Sequence, residues 1–73
     1  PPVFSEELEV VSQRLVGDKH LALKLRHQGT PIDGIWFNHT DSLPARARIA
    51  FRLDADEWNG SRKVKFLIEG VET

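Results

Sequence analysis

The sequence predicts an all-β domain: five strands closed into a small Greek-key barrel, with a short helix or a loop between the third and fourth strands. Three observations carry this. Three segments alternate apolar and polar residues with a period of two. Glycine- and asparagine-centred turns separate the apolar runs at short intervals. Finally, 73 residues without a cysteine must build one core with no disulfide or thiolate metal site to support it. A chain of this length hides only roughly 60% of its unfolded surface. An open sheet would leave too little interior, whereas closure removes the edges and makes one.

The elements follow in order. Residues 1–7 read as a linker remnant, and a barrel domain is expected over 8–71. Leu8 to Val16 is apolar-rich and β-branched at Val10, Val11 and Val16, which suits a first strand. Gly17-Asp18 turns the chain. His20 to Arg26 then sets Leu21, Leu23 and Leu25 on one side and His20, Lys24 and Arg26 on the other. Gly29-Thr30-Pro31 marks the next turn, before a short apolar run from Ile32 to Phe37 interrupted by Asp33 and Gly34. Asn38 to Arg46 is polar, contains Pro44 and forms the longest connection. Ala47 to Asp54 places Ile49, Phe51 and Leu53 inward and Arg48, Arg52 and Asp54 outward. Asp54 to Trp58 is an acidic approach to Asn59-Gly60, a pair suited to a tight hairpin turn. Lys63 to Glu69 closes the series, with Leu67 the one apolar residue on its polar side. Five strands with the long connection after the third match the OB-fold, whose ligands lie on strands two and three and between the first-second and fourth-fifth loops. An SH3-like barrel is the structural alternative.

Composition narrows the function less than charge distribution does. No run of 18 apolar residues is present, so no spanning helix is expected. A net charge of −1 argues against purely electrostatic capture of a polyanion. Its distribution argues the other way: residues 12–52 carry a local +4 between an acidic start and an acidic end. Pro1-Pro2 and the lack of any methionine suggest a piece of a longer chain.

Three stretches resemble the OB domain of the RecJ family of single-strand-specific exonucleases: Val11-Ser12-Gln13-Arg14-Leu15-Val16-Gly17-Asp18-Lys19-His20-Leu21-Ala22-Leu23-Lys24-Leu25, Ile32-Asp33-Gly34-Ile35-Trp36-Phe37-Asn38, and Phe51-Arg52-Leu53-Asp54-Ala55-Asp56-Glu57-Trp58-Asn59-Gly60. The resemblance implies a bacterial, cytoplasmic parent that degrades single-stranded DNA from its 5′ end in recombination and repair. It also implies a manganese- or magnesium-dependent catalytic domain bearing an Asp-His-His motif. That motif is absent here, since His20, His27 and His39 are never adjacent. The chain is therefore expected to be a binding module, itself non-catalytic and without a cofactor. It would guide single-stranded DNA toward catalytic domains of the same parent. The alternative is a docking module that contacts those domains, or the acidic tail of a single-strand-binding protein.

Single-strand binders combine a basic groove with aromatic faces for bases. Candidate contacts are Arg14 and Lys19 around the first loop, and His20, Lys24 and Arg26 on the second strand. Arg62, Lys63 and Lys65 leave the fourth-fifth loop and complete the set of bases. Trp36 is a stacking candidate if Ile35 and Phe37 face inward; otherwise it plugs one end of the barrel. Trp58 lies beside the loop and either stacks on a base or folds over the barrel mouth, the role that small interiors favour. Arg46, Arg48 and Arg52, on the fourth strand, read as surface or docking residues. No metal-ligand spacing links His27, His39 and Asp41. There is no Gly-x-Ser-x-Gly, no phosphate-cradling loop and no thiol nucleophile, and the acids Asp54, Asp56 and Glu57 read as a solvated rim.

Overall fold

A computed structural model describes residues 2–58 and 60–72; for Asp56, Glu57 and Trp58 it describes the backbone alone. Five strands form: β1 (Phe4–Val16), β2 (His20–His27), β3 (Thr30–Trp36), β4 (Arg46–Trp58) and β5 (Ser61–Glu72). They close in the order β1-β2-β3-β5-β4. All neighbours are antiparallel except β3 and β5, whose parallel contact at Asp33–Lys65, Gly34–Phe66 and Ile35–Leu67 seals the barrel. This is the five-stranded OB architecture. Among the described residues no helix is long and apolar enough to cross a membrane.

β1 begins four residues before the apolar pattern suggests. Phe4 to Glu7, assigned from sequence to a leading linker, pair with Phe51 to Arg48 of β4. One long strand thus serves two partners: its first half lies against β4 and its second half against β2. A bulge at Val11 makes the change possible by bending the strand and resetting its alternation. Leu8 and Val10 point inward before the bulge, whereas Val11 is left on the surface.

The turn between β2 and β3 is also displaced. Gln28 and Gly29 take positive φ (50° and 83°) between the paired residues His27 and Thr30. Thr30 and Pro31 therefore belong to β3 rather than to the turn. Proline is tolerated there because β5 joins β3 only from Asp33 onward, so the missing N–H breaks no ladder on that side.

The core contains Leu8, Val10, Leu21, Leu23, Leu25, Leu43, Ala47, Ile49, Phe51 and Ile68. Leu53, expected inward, is 53% exposed. It keeps the inward phase of Ile49 and Phe51, but Phe51 is the last β4 residue paired with β1, so at Leu53 the first strand no longer flanks β4 and its partner is Phe66 of β5. From Ala55 and Val64 outward, β4 and β5 run on past the β3–β5 seam as a two-stranded arm. The connection from residue 37 to 45 contains no helix. It folds over the upper barrel instead, where Leu43 is buried and Gln13 bonds its backbone twice: Leu43 N–H donates to Gln13 Oε1 (2.7 Å) and Gln13 Nε2 donates to the Leu43 carbonyl (2.9 Å).

Candidate functional site

The outward face of β1, β2, β3 and β5 carries a shallow groove of about 490 Å³. Register explains what lines it. At one level Lys24 of β2, Asp33 of β3 and Lys65 of β5 stand side by side; at the next, Ala22, Ile35 and Leu67 do. Arg14 lies opposite Ala22 on β1, and Lys63 is two residues before Lys65 on the same face of β5. Four bases from three strands therefore surround a floor that includes Ala22 and Ile35.

Among the described residues lining this groove, Asp33 is the one acid. Its Oδ1 accepts a hydrogen bond from Lys24 Nζ at 2.6 Å, and its Oδ2 lies 4.0 Å from Lys63 Nζ. The Lys24 hydrogen bond holds the Asp33 carboxyl below its ordinary range, helped by the charges of Lys24, Lys63 and Lys65 and opposed by slight desolvation. Asp33 therefore remains ionised at neutral pH, bonded to Lys24 and with Lys63 at 4.0 Å.

Of the bases singled out from sequence, Arg14, Lys24, Lys63 and Lys65 meet here. Arg62, on the other phase of β5, lines an adjoining groove with Lys63, Pro31, Ile32, Val64 and Phe66. Lys19 is exposed on the first loop, where its N–H donates to the Val16 carbonyl. Arg26 is elsewhere: it pairs with Glu9 at 3.3 Å and lines a separate polar groove with Glu6, Glu7, Arg46 and Arg48. His20 is engaged locally, its Nδ1 accepting the Asn38 N–H at 3.0 Å and its ring lying edge-on to Phe37.

Trp36 departs from the outward placement. It stands opposite the buried Leu21, packs against the core and stacks on His39 at 3.5 Å, while Ile35 faces the groove. The reason is steric. Residues 32, 34 and 36 share one phase, and at Gly34 an added Cβ would lie 3.0 Å from Leu25 Cδ1 and 3.5 Å from Ile68 Cδ1. Only the phase holding this glycine can face so tight an interior. The side chain of Trp58 lies outside the described residues. On the fourth strand, Arg46 pairs with Glu7, Arg48 donates to the Ser5 carbonyl, and Arg52 pairs with Glu69.

Sequence reasoning missed Asp33, Ile35 and Gln13. A signal existed for the first two: read with period two from Asp33 as a surface residue, Ile35 falls outward and Trp36 inward. Nothing local marks Gln13, whose partner is 30 residues away. Among the described residues no cluster of three or more His, Cys, Asp or Glu side chains could hold a metal ion. His27 lies 3.8 Å from Glu6, and His39 is the residue stacked on Trp36.

Against this geometry, a family model described as the RecJ OB domain matches residues 1–70. The chain belongs to the RecJ OB domain family. Its similarity to curated RecJ proteins runs nearly end to end. It is 36% identical over 75 residues to the single-stranded-DNA-specific exonuclease RecJ of Dickeya dadantii, covering 93% of this chain. It is 30% identical over 77 residues to the RecJ exonuclease of Escherichia coli, covering 96% of this chain. The chain spans 13% of the length of either relative. No solved structure matches it.

Proposed function

We propose that this domain binds single-stranded DNA across the groove on β2, β3 and β5 and guides it to the catalytic domains of a longer, RecJ-type 5′-to-3′ exonuclease. One observation carries the reading: Arg14, Lys24, Lys63 and Lys65, drawn from three strands, converge on the face where OB-folds take their ligands. The bases suit phosphates, and Ala22 and Ile35 offer apolar contact to sugars or base faces. The manganese or magnesium of such an enzyme belongs, on this reading, to its catalytic domain. Among the described residues no cluster of His, Cys, Asp or Glu side chains offers such an ion a site. The setting would be DNA recombination and repair in a bacterial cytoplasm.

A second surface favours contact with the parent's own catalytic domains. The exposed Phe4, Leu53 and Val64 lie on and beside the projecting β4–β5 arm, at the opposite end of the barrel from the β1–β2 turn. The two roles use different faces and are compatible.

Fluorescence anisotropy with labelled oligo-dT, repeated across salt, tests the main reading. Three to four phosphate contacts on a single strand give a log–log salt slope of about −2 to −3. Lys65→Glu and Arg14→Glu should each weaken binding by about tenfold and flatten that slope. Affinity indifferent to salt would count against the groove. So would an acidic peptide, of the kind a single-strand-binding protein carries as its tail, that bound more tightly than the oligonucleotide.

A further inference from the structure

We propose that Asp33 is a base-reading residue: its carboxylate accepts a hydrogen bond from the exocyclic amino group of a nucleobase and biases the groove toward cytosine over thymine. The inference rests on the single-strand-binding reading above and adds a specificity to it.

The argument begins with position. Asp33 stands on the midline of the groove, with Lys24 on the β2 side and Lys65 on the β5 side at the same level. A face serving phosphate alone gains nothing from an anion between its cations, because that charge repels the ligand. A polynucleotide, however, is not uniformly anionic. Its phosphates call for cations, and the amino groups of its bases call for an acceptor. Carboxylates meet that second need by accepting from the cytosine amino group, whereas thymine presents a carbonyl oxygen at the corresponding position. Lysines at the sides with one carboxylate between them match a strand whose backbone lies along the bases while its bases reach over the midline.

The carboxylate also has capacity to spare. Oδ1 is held by Lys24 at 2.6 Å, which orients the group, but Lys63 stands 4.0 Å from Oδ2, beyond hydrogen-bonding distance. An ionised carboxylate offers about four acceptor positions. The side chain is 40% exposed, so it is open to a ligand from the groove. Ile35, two residues along β3 on the same face, supplies an apolar surface beside it for a sugar or ring.

The test compares oligo-dC with oligo-dT of one length at pH 8, where cytosine is unprotonated, using the wild-type chain and Asp33→Ala. The expected wild-type ratio, dC over dT, exceeds that of Asp33→Ala by about fivefold. Binding of dT should itself strengthen in the variant, since a negative charge leaves the groove. A strand of N4,N4-dimethylcytosine, which has no amino hydrogens, should bind the wild-type chain like dT, a readout that needs no mutation. Should both strands tighten equally in Asp33→Ala, leaving the ratio unchanged, Asp33 only tempers the lysines and the proposal is overturned while DNA binding stands. Should neither strand bind at low salt, the reading of the groove itself fails, and base reading with it.

Discussion

Lys24 and Asp33 form a 2.6 Å pair between adjacent strands, and its pH behaviour follows from the lowered Asp33 pKa. The carboxyl of the unfolded chain titrates near its ordinary 3.8 and that of the folded chain below it. A depressed folded pKa contributes stability above the unfolded value and loses it as pH falls through the folded one. Carbon-detected NMR titration should therefore place the Asp33 midpoint below 3.8, and Lys24→Ala should move it upward toward that value. What then remains is desolvation, which raises it, against the charges of Lys63 and Lys65, which lower it. Trp36 supplies a second check at this scale. Packed on the core and stacked on His39, it is expected to matter for folding rather than for DNA. Trp36→Ala should cost roughly 2–4 kcal/mol in urea unfolding. Oligo-dT affinity, measured where the variant is folded, should stay within about twofold of wild type, below the loss expected for a stacked base.

At the scale of elements, the connection between β3 and β4 shows how a loop without regular structure is held. The Gln13 side chain takes the place of a neighbouring strand, accepting from the Leu43 N–H and donating to the Leu43 carbonyl. Leu43 is thereby kept in the core, and Val10 N–H donates to the Ala45 carbonyl at 2.7 Å just below it. Gln13→Ala removes both bonds and leaves partly buried backbone groups unpaired, with an expected loss of about 1–3 kcal/mol. Hydrogen exchange at the Leu43 amide reads the effect directly: protected in wild type, it should become fast in the variant. Gln13→Glu separates the two bonds, since a carboxylate can still accept from the amide but cannot donate to the carbonyl. Its Leu43 amide should keep partial protection.

For the molecule as a whole, closure depends on the short parallel contact between β3 and β5, and Gly34 lies in the middle of it. A larger residue there meets Leu25 and Ile68 across the barrel interior. Gly34→Val should destabilise the domain by about 1–3 kcal/mol through overpacking. Because the groove straddles the same seam, the change should also weaken oligo-dT binding. Chemical-shift changes reaching Lys24 on β2 and Lys65 on β5 would trace both effects to the seam. Changes confined to residues 33–35 would show that closure does not depend on this position.

The strands were legible because alternation is a local property. Leu21, Leu23 and Leu25 against Lys24 and Arg26 need no knowledge of neighbours to be read as a half-buried strand. Turn chemistry at Gly17-Asp18 was legible for the same reason, and both residues take positive φ, 61° and 56°. The third strand was harder, because Ile32, Ile35, Trp36 and Phe37 put apolar residues on both phases and leave the choice to packing. Which bases would share a groove was harder still. Arg14, Lys24 and Lys65 looked alike to Arg26 on the page, yet strand register carries Arg26 to Glu9 and the other three to one face.

By itself, then, the sequence determined five β-strands, a barrel, the bases available to a polyanion and a resemblance that the family match bears out. Tertiary structure decided that β1 starts at Phe4, that Gln13 restrains a distant loop and that Asp33 stands among the cations, and it settled between the two phases open to Trp36. The division has one physical cause. Backbone geometry imposes its period on each segment separately, whereas the face a residue occupies and the company it keeps depend on pairings between residues far apart in the chain.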